Sequence, residues 1–337
     1  MSTNSSIEWT EVTWNPVVGC TPVSPGCDLC YAGVLSHRLA AMGQEAYVGL
    51  TVKRQAPTRA GGRERATFNG TVRTLPDRLT DPLGWRKPRR VFVNSMSDLF
   101  HEAVPFEFVD RVFAVMALCP QHTFQVLTKR PERLAEYLAD SIAQRRVARV
   151  AEAASRIDTT PYRYQGIVEG SWPLPNVWLG TSVENQDAAD ERIPHLLRCP
   201  AAVRFLSCEP LLGPIDLSAY FGGPYVGLPG DKVHPNYNFG IGWVIVGGES
   251  GPGARPCDVA WIRSIVEQCR AAGVPCFVKQ LGSRPIESRC GDCDPCAANE
   301  PCPYGPEVPL KLKDKKGGDP AEWPEDLQVR EMPEATR

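Results

Sequence analysis

A repeated unit of short apolar strand, polar tip and helix is the sequence feature that most constrains the fold. Apolar runs indicate strands at residues 7–18, 89–94, 123–127, 176–179, 203–206, 243–246 and 276–278. Most of these strands are followed by apolar residues at helical spacing, at 32–42, 105–118, 131–138 and 259–272, and in the segment after residue 184 that ends at 197. Strands that alternate with helices predict a parallel sheet with right-handed crossovers. We therefore expect an α/β fold, a full or partial (β/α) barrel, with a doubly wound sheet as the alternative.

Charged and polar residues follow these strands directly. In barrels of this kind the active site forms at the carboxyl ends of the strands. A charge placed there is costly unless it is paired or functional. The residues at the predicted strand ends are Asp98, Lys129, Arg130, Glu184, Glu209, Glu249, Lys279 and Gln280. Ion pairs among them are the alternative to a role in binding or catalysis.

Three cysteines stand in a turn-rich loop between the first strand and the first helix. Cys20, Cys27 and Cys30 are spaced Cys-x6-Cys-x2-Cys, with Pro22 and Pro25 between the first two. The prolines exclude regular structure there, so the loop must curl and can turn three sulfurs toward one point. Three thiolates suit a zinc ion or an iron–sulfur cluster. Structural zinc requires a fourth ligand, and no Cys or His follows close by, whereas a cluster with three protein ligands keeps one iron open.

A second cysteine set lies near the carboxyl end. It reads Cys-x2-Cys-x2-Cys-x5-Cys, at Cys290, Cys293, Cys296 and Cys302. Four thiols within thirteen residues indicate a metal site, either an auxiliary iron–sulfur cluster or zinc. We favour the cluster slightly and expect the segment to cap the mouth of the barrel.

Composition limits the remaining possibilities. The net charge of −2 gives no overall basic field for nucleic acid. The chain has no run of eighteen apolar residues and no apolar signal core, and its 13 cysteines suit a reducing compartment. We predict a cytoplasmic protein whose remaining cysteines are small core residues. The predicted organisation is a barrel over 1–282 with insertions near 140–175 and 214–239, a Cys-rich insertion at 283–308, and a tail at 309–337 that packs on the barrel.

The cysteine loop resembles that of the radical S-adenosylmethionine (SAM) superfamily, in which an aromatic residue such as Tyr31 commonly follows the last cysteine. The gap of six residues between the first two cysteines is wider than is usual there. A closer resemblance is to a radical-SAM-like family of bacteriophages and bacteria. Its recurring pieces here are Trp14-Asn15-Pro16, residues 19–32 and 93–100, Leu127-Thr128-Lys129-Arg130, residues 180–184, Ser207-Cys208-Glu209-Pro210, residues 247–250 and Lys279-Gln280.

The resemblance implies a radical SAM enzyme, with a 4Fe-4S cluster on Cys20, Cys27 and Cys30 and SAM on the open iron. It places Tyr31, Ser97 and Asp98 at the cluster and SAM, and Ser182 and Glu184 at the ribose or methionine part of SAM. Glu209, Glu249 and Lys279 are then expected to face a polar substrate, such as DNA, RNA or a nucleotide. Such an enzyme needs an electron donor of the flavodoxin or ferredoxin class. Whether it is a lyase, an isomerase or a transferase stays open.

A non-catalytic protein is the alternative function. Zinc at both cysteine sets would stabilise a module that binds nucleic acid or a protein partner. The alternative predicts a colourless protein, whereas an iron–sulfur protein is brown.

Overall fold

The computed structural model describes residues 5–55, 64–138, 143–157, 173–222, 240–288 and 307–333. Its strands are β1 (Val12–Trp14), β2 (Val17–Val18), β3 (Thr51–Gln55), β4 (Glu64–Phe68), β5 (Arg73–Thr74), β6 (Arg90–Val93), β7 (Thr123–Thr128), β8 (Val177–Ser182), β9 (Val203–Cys208), β10 (Trp243–Gly247), β11 (Cys257–Asp258), β12 (Cys276–Gln280), β13 (Pro285–Ser288) and β14 (Glu307–Pro309). The α-helices are α1 (Tyr31–Ala41), α2 (Phe106–Leu118), α3 (Pro131–Leu138), α4 (Ala143–Ile157), α5 (Gln186–Leu197) and α6 (Val259–Ala272).

Seven strands form one sheet in the order β1-β6-β7-β8-β9-β10-β12, and every neighbouring pair is parallel. The order follows the chain without reversal. A doubly wound sheet reverses its order part-way, so that alternative is excluded. Right-handed crossovers then place the connecting helices on one face of the sheet.

The sheet curls into a partial barrel. The Trp9 ring lies 4.8 Å from the Phe92 ring on β6 and 6.2 Å from the Trp243 ring on β10. In a flat sheet these two strands, four spacings apart, would be separated by about 19 Å. One side chain can contact both only if the sheet closes around it. The predicted α/β partial barrel is therefore confirmed, and β1 and β12 are its two edge strands in the described part of the chain.

The two faces of the sheet have different cores. Alternation along β6 sends Val91 and Val93 outward to the helices and Phe92 inward. The interior is filled by an aromatic cluster comprising Trp9, Phe92, Trp178, Phe205, Trp243 and Phe277. The barrel is thus packed below its mouth, and the polar residues at the carboxyl ends of the strands lie above this aromatic floor.

Two segments add elements outside the seven-stranded sheet. The segment 51–90 contains a β3–β4 hairpin that the sequence did not indicate, and β5 pairs with β2. Helix α4 lies in the segment predicted as an insertion near 140–175; it packs against α2 and buries Val150 and Ala154. Val147, Val150, Ala154 and Ile157 recur at helical spacing and were the available signal for that face.

Cys119, Cys199, Cys208, Cys257, Cys269 and Cys276 are buried in the core, as predicted. No helix in the described ranges is long and apolar enough to cross a membrane. The tail residue Trp323 is buried in the outer core.

Candidate metal centre and active site

The cysteine loop is attached to the carboxyl end of β6. Gly19 donates its N–H to the Met96 carbonyl at 3.1 Å and forms a parallel bridge with Ser97. Two observations require glycine at this position. Its φ is +89°, and a Cβ would lie 2.1 Å from the Thr71 carbonyl oxygen. Tyr31 hydroxyl donates to the Ser95 carbonyl at 2.9 Å, which fixes the other end of the loop to the same segment.

The three loop cysteines are free and half-buried. Cys27 ends a short 3₁₀ turn, and Cys30 is the N-cap of α1. Burial and the nearby Asp98 carboxylate raise the pKa of Cys20 to about 12, while Arg130 opposes them. Burial also raises the pKa of Cys30, against the amide groups of Ala32 and Gly33. The neighbouring cysteines of the loop raise both pKa values further.

No group of three or more His, Cys, Asp or Glu side chains in the described ranges is arranged to hold a single metal ion. His101 contacts the loop, but both of its ring nitrogens are engaged. Nε2 lies 2.8 Å from the Thr21 hydroxyl, and Nδ1 accepts the Ala103 N–H at 3.1 Å. Burial and Arg130 lower the pKa of His101, which favours the neutral ring that this pattern requires.

Arg130 connects the loop to the β6 end. Its Nη2 donates to the Thr21 carbonyl at 3.1 Å, its Nη1 to Asp98 at 3.2 Å and its Nε to Glu102 at 2.9 Å. Nη1 also lies 3.9 Å from Cys20 Sγ. Asp98 is saturated, because the Thr128 hydroxyl and the backbone N–H groups of Phe100 and Lys129 donate to it as well.

Glu184 is fully buried beside the middle of the loop. Its Oε2 accepts from Lys129 at 3.1 Å and from Arg192 at 2.8 Å. Burial raises the pKa of Glu184, but Lys129, Ser24 and Arg192 outweigh it and bring the pKa to about 2. Its Oε1 has no hydrogen-bond partner among the described residues. A Cβ on Gly26 would lie 3.1 Å from Oε1 and 3.2 Å from Lys129 Nζ, so the loop passes directly over this ion pair.

Glu209 and Lys279 form a partly exposed ion pair at the mouth. Their charged atoms are 3.0 Å apart, and their side chains are 13% and 23% exposed. Burial raises the pKa of Tyr31, and the charges of Cys30 and Glu209 raise it further. This pair therefore lies near the end of the cysteine loop.

Arg255 forms a bidentate ion pair with Glu249. Its guanidinium donates to both carboxylate oxygens, at 3.0 and 2.7 Å. Arg255 Nη1 also reaches Asp28, between Cys27 and Cys30, at 3.5 Å. Arg65, from β4, donates to the Leu29 carbonyl at 2.8 Å. Two arginines from distant segments thus hold the last turn of the loop.

The structure gathers most of the predicted site residues at one mouth. Ser97 hydroxyl donates to the Val17 carbonyl at 2.8 Å beneath the loop, and Ser182 is buried at the end of β8, where its carbonyl accepts from Arg192. Glu249 does not pair with Lys279. The second cysteine set, Cys290, Cys293, Cys296 and Cys302, lies outside the described residues.

A family model described as "Protein of unknown function (DUF5131)" matches residues 4–317. The chain belongs to this family. No curated protein matches the sequence significantly. Among solved structures, a cysteine-to-serine mutant of spore photoproduct lyase is similar, with 11% identity and a TM-score of 0.36, over 94% of this chain and 72% of that chain.

Sequence reasoning missed the side chains that hold this DUF5131 chain's loop. Arg65, Arg192, Arg255 and His101 come from four different segments, and only the fold brings them to the mouth. Asn94 was also missed. It is buried with φ +62°, and its side-chain amide has no partner in the described part of the chain. Its place directly after β6, on the side of Phe92, was the available signal.

Proposed function

We propose that this protein is a radical SAM enzyme that holds a 4Fe-4S cluster on Cys20, Cys27 and Cys30. The observation that carries the proposal is one arrangement. Three half-buried cysteines that form no disulfide occupy a loop over the carboxyl-end mouth of a curled parallel sheet, with Arg130 and Lys129 beside the loop.

The donor set fits the cluster. Thiolates are the usual protein ligands of iron–sulfur clusters, and His101, the histidine that contacts the loop, has both nitrogens engaged. The sulfurs of a cluster sit on separate irons, so they need not converge on one ion as zinc ligands do. When bound, the cluster and SAM supply a deoxyadenosyl radical that abstracts hydrogen from the substrate; the protein's part is to orient, and to exclude water.

Glu184 and Asn94 carry the binding of SAM in this proposal, since each has buried polar atoms without a partner in the described ranges. Glu184 Oε1 accepts a hydrogen bond from a ligand hydroxyl or ammonium. Ser97 and Asp98 act through the loop that they support, because their polar atoms already bond Val17 and Arg130. Tyr31 and Ser182 are assigned to the same cluster and SAM site.

Glu209 and Lys279 face the substrate. They are partly exposed and carry opposite charges, and they suit a polar substrate such as a nucleotide or a nucleic-acid base. Glu249 has a positioning role through Arg255 and Asp28. The electron for SAM cleavage comes from a donor of the flavodoxin or ferredoxin class. The set Cys290, Cys293, Cys296 and Cys302 carries the auxiliary cluster or zinc.

Metal analysis after anaerobic reconstitution tests the proposal. The wild type should be brown and bind about four irons per chain at the loop, and about eight if the second set also holds a cluster. The variant with Cys20, Cys27 and Cys30 changed to Ala should lose about four irons. A colourless protein with two zinc ions and no iron would favour the non-catalytic, zinc-stabilised alternative.

A further inference from the structure

Two consecutive cations at the end of β7 diverge to different cysteines of the loop. Arg130 Nη1 lies 3.9 Å from Cys20 Sγ. Lys129 lies on the other side of the strand, 3.1 Å from Glu184 and under Gly26, where its charge acts on Cys30. The end of the strand thus places one positive charge beside Cys20 and another beneath Gly26, the residue before Cys27.

The Arg130 guanidinium is fixed in place. Its side chain is 7% exposed, and Asp98, Glu102 and the Thr21 carbonyl together bind its Nε, Nη1 and Nη2. The planar guanidinium donates to three acceptors that lie in different directions. A lysine ammonium, which has a single nitrogen, does not reproduce this pattern of donors. The charge near Cys20 is therefore held at constant geometry.

In the described part of the chain, Glu184 is the only side chain within hydrogen-bonding distance of the Lys129 ammonium. Arg192 shares the same carboxylate oxygen, so Glu184 is doubly paired and does not cancel the charge of Lys129 fully. With its side chain only 18% exposed, Lys129 acts in surroundings where water screens charge poorly.

We propose that Arg130 and Lys129 set the reduction potential of the group that Cys20, Cys27 and Cys30 hold. The inference rests on the proposed function. One electron passes from the donor, here dithionite, to the thiolate-bound cluster, whose net charge becomes more negative by one. A nearby positive charge favours that reduced state. Arg130 also holds the loop in place through its hydrogen bond to the Thr21 carbonyl. Arg130 and Lys129 are therefore positioning residues rather than catalytic ones, because each acts through the cysteine-bound group.

The test is the midpoint potential of the reconstituted full chain, measured by redox titration with the iron content determined beforehand. Arg130→Met and Lys129→Met remove one charge each, whereas Arg130→Lys keeps the charge and loses the fork. Arg156→Gln removes an exposed charge on α4 that pairs with Glu152, and serves as the matched control.

We expect each Met variant to shift the reduction equilibrium at least tenfold toward the oxidised cluster, about 59 mV for one electron. Arg130→Lys should shift it less than Arg130→Met, and Arg156→Gln should leave it unchanged. If Arg130→Met folds but loads no iron, Lys129→Met and Arg130→Lys carry the test: a tenfold shift in Lys129→Met supports the inference, and an unchanged potential in both overturns it.

Equal potentials in the wild type and in fully loaded Met variants would overturn the inference. The same holds if Arg156→Gln shifts the potential as much as they do. Failure of the wild type itself to load iron at Cys20, Cys27 and Cys30 is a different result, because it overturns the proposed function from which the inference starts.

Discussion

At the scale of single residues, Glu184 is where the barrel and the cysteine loop meet. Its carboxylate is buried, bonds two cations through one oxygen, and presents the other oxygen toward Gly26. A buried carboxylate with such partners stays charged over the physiological range, and its single negative charge offsets only part of the charge of Lys129 and Arg192.

The pKa of Glu184 gives a prediction for acid stability. The folded-state pKa is about 2, below its usual 4.5. Its charge therefore stabilises the fold fully above about pH 4.5, and this contribution is lost as the pH falls toward 2. A shift of this size corresponds to about 3 kcal/mol. The free energy of unfolding of the wild type, measured in urea, should exceed that of Glu184→Gln by a margin that shrinks by roughly this amount across that window. A margin independent of pH would contradict the assignment.

Gly26 gives a second prediction at this scale. In Gly26→Ala the new Cβ would stand 3.0 Å from Glu184 Cδ and 3.2 Å from Lys129 Nζ, so the ion pair or the loop must move. We expect a loss of about 1–3 kcal/mol in the free energy of unfolding. The control is Gly84→Ala, whose Cβ would meet open space; its effect should stay below about 0.5 kcal/mol. Equal effects of the two substitutions would show that Gly26 is not crowded.

Which residues lie at the mouth could be predicted, but their pairing could not. The strand ends identified Asp98, Glu184, Glu209 and Glu249 because charges directly after apolar strands are expensive. Arg255 closes Glu249 from six residues further along a loop, and Arg192 reaches Glu184 from a helix. Such partners depend on how loops and helices return over the sheet, and residue spacing carries no signal for that.

At the scale of elements, β8 and β9 fit together inside the barrel because Gly180 has no side chain. A Cβ there would lie 2.6 Å from the Phe205 ring, which is fully buried. The absence of one methyl group thus makes room for the aromatic floor below the mouth.

A double-mutant cycle tests this fit. Gly180→Ala should lower the free energy of unfolding by about 1–3 kcal/mol through overpacking. Phe205→Leu alone should also destabilise the fold, by leaving a cavity. In the double variant the smaller side chain relieves the overlap, so its loss should be less than the sum of the two. Strict additivity in urea unfolding would mean that the two positions do not meet.

The alternation of strand and helix was predictable because long apolar runs recur at regular intervals. The strands of the sheet extend further than those runs; β8 continues through Thr181 and Ser182, where the Thr181 hydroxyl donates to the Thr128 carbonyl. The β3–β4 hairpin was not predictable, since its strands are short and polar and β3 is largely exposed. Contacts with α1 rather than its own pattern stabilise it.

At the scale of the whole molecule, the tail covers the edge strand of the partial barrel. Val278 N–H donates to the Val329 carbonyl and Glu331 N–H to the Cys276 carbonyl, both at 2.8 Å. Trp323 anchors this segment, with its indole N–H on the Gly317 carbonyl at 2.9 Å. An open parallel sheet leaves such an edge unsatisfied unless another segment pairs with it.

Trp323→Ala therefore should destabilise the whole fold rather than the tail alone. We expect a loss of about 3–5 kcal/mol in the free energy of unfolding, measured in urea by far-ultraviolet circular dichroism. Val308→Ala, at a position 39% exposed on β14, is the control and should cost less than about 0.5 kcal/mol. An unfolding curve of Trp323→Ala that matches the wild type would mean that the tail contributes nothing to the barrel.

The central claim is that Cys20, Cys27 and Cys30 together support SAM cleavage at the mouth of this barrel. The most direct measurement is the formation of 5′-deoxyadenosine by the anaerobically reconstituted protein with SAM and dithionite. The account predicts deoxyadenosine from the wild type and none from the variant in which these three cysteines are Ala. A wild type that carries its iron at the loop but forms no more deoxyadenosine than that variant would contradict the account.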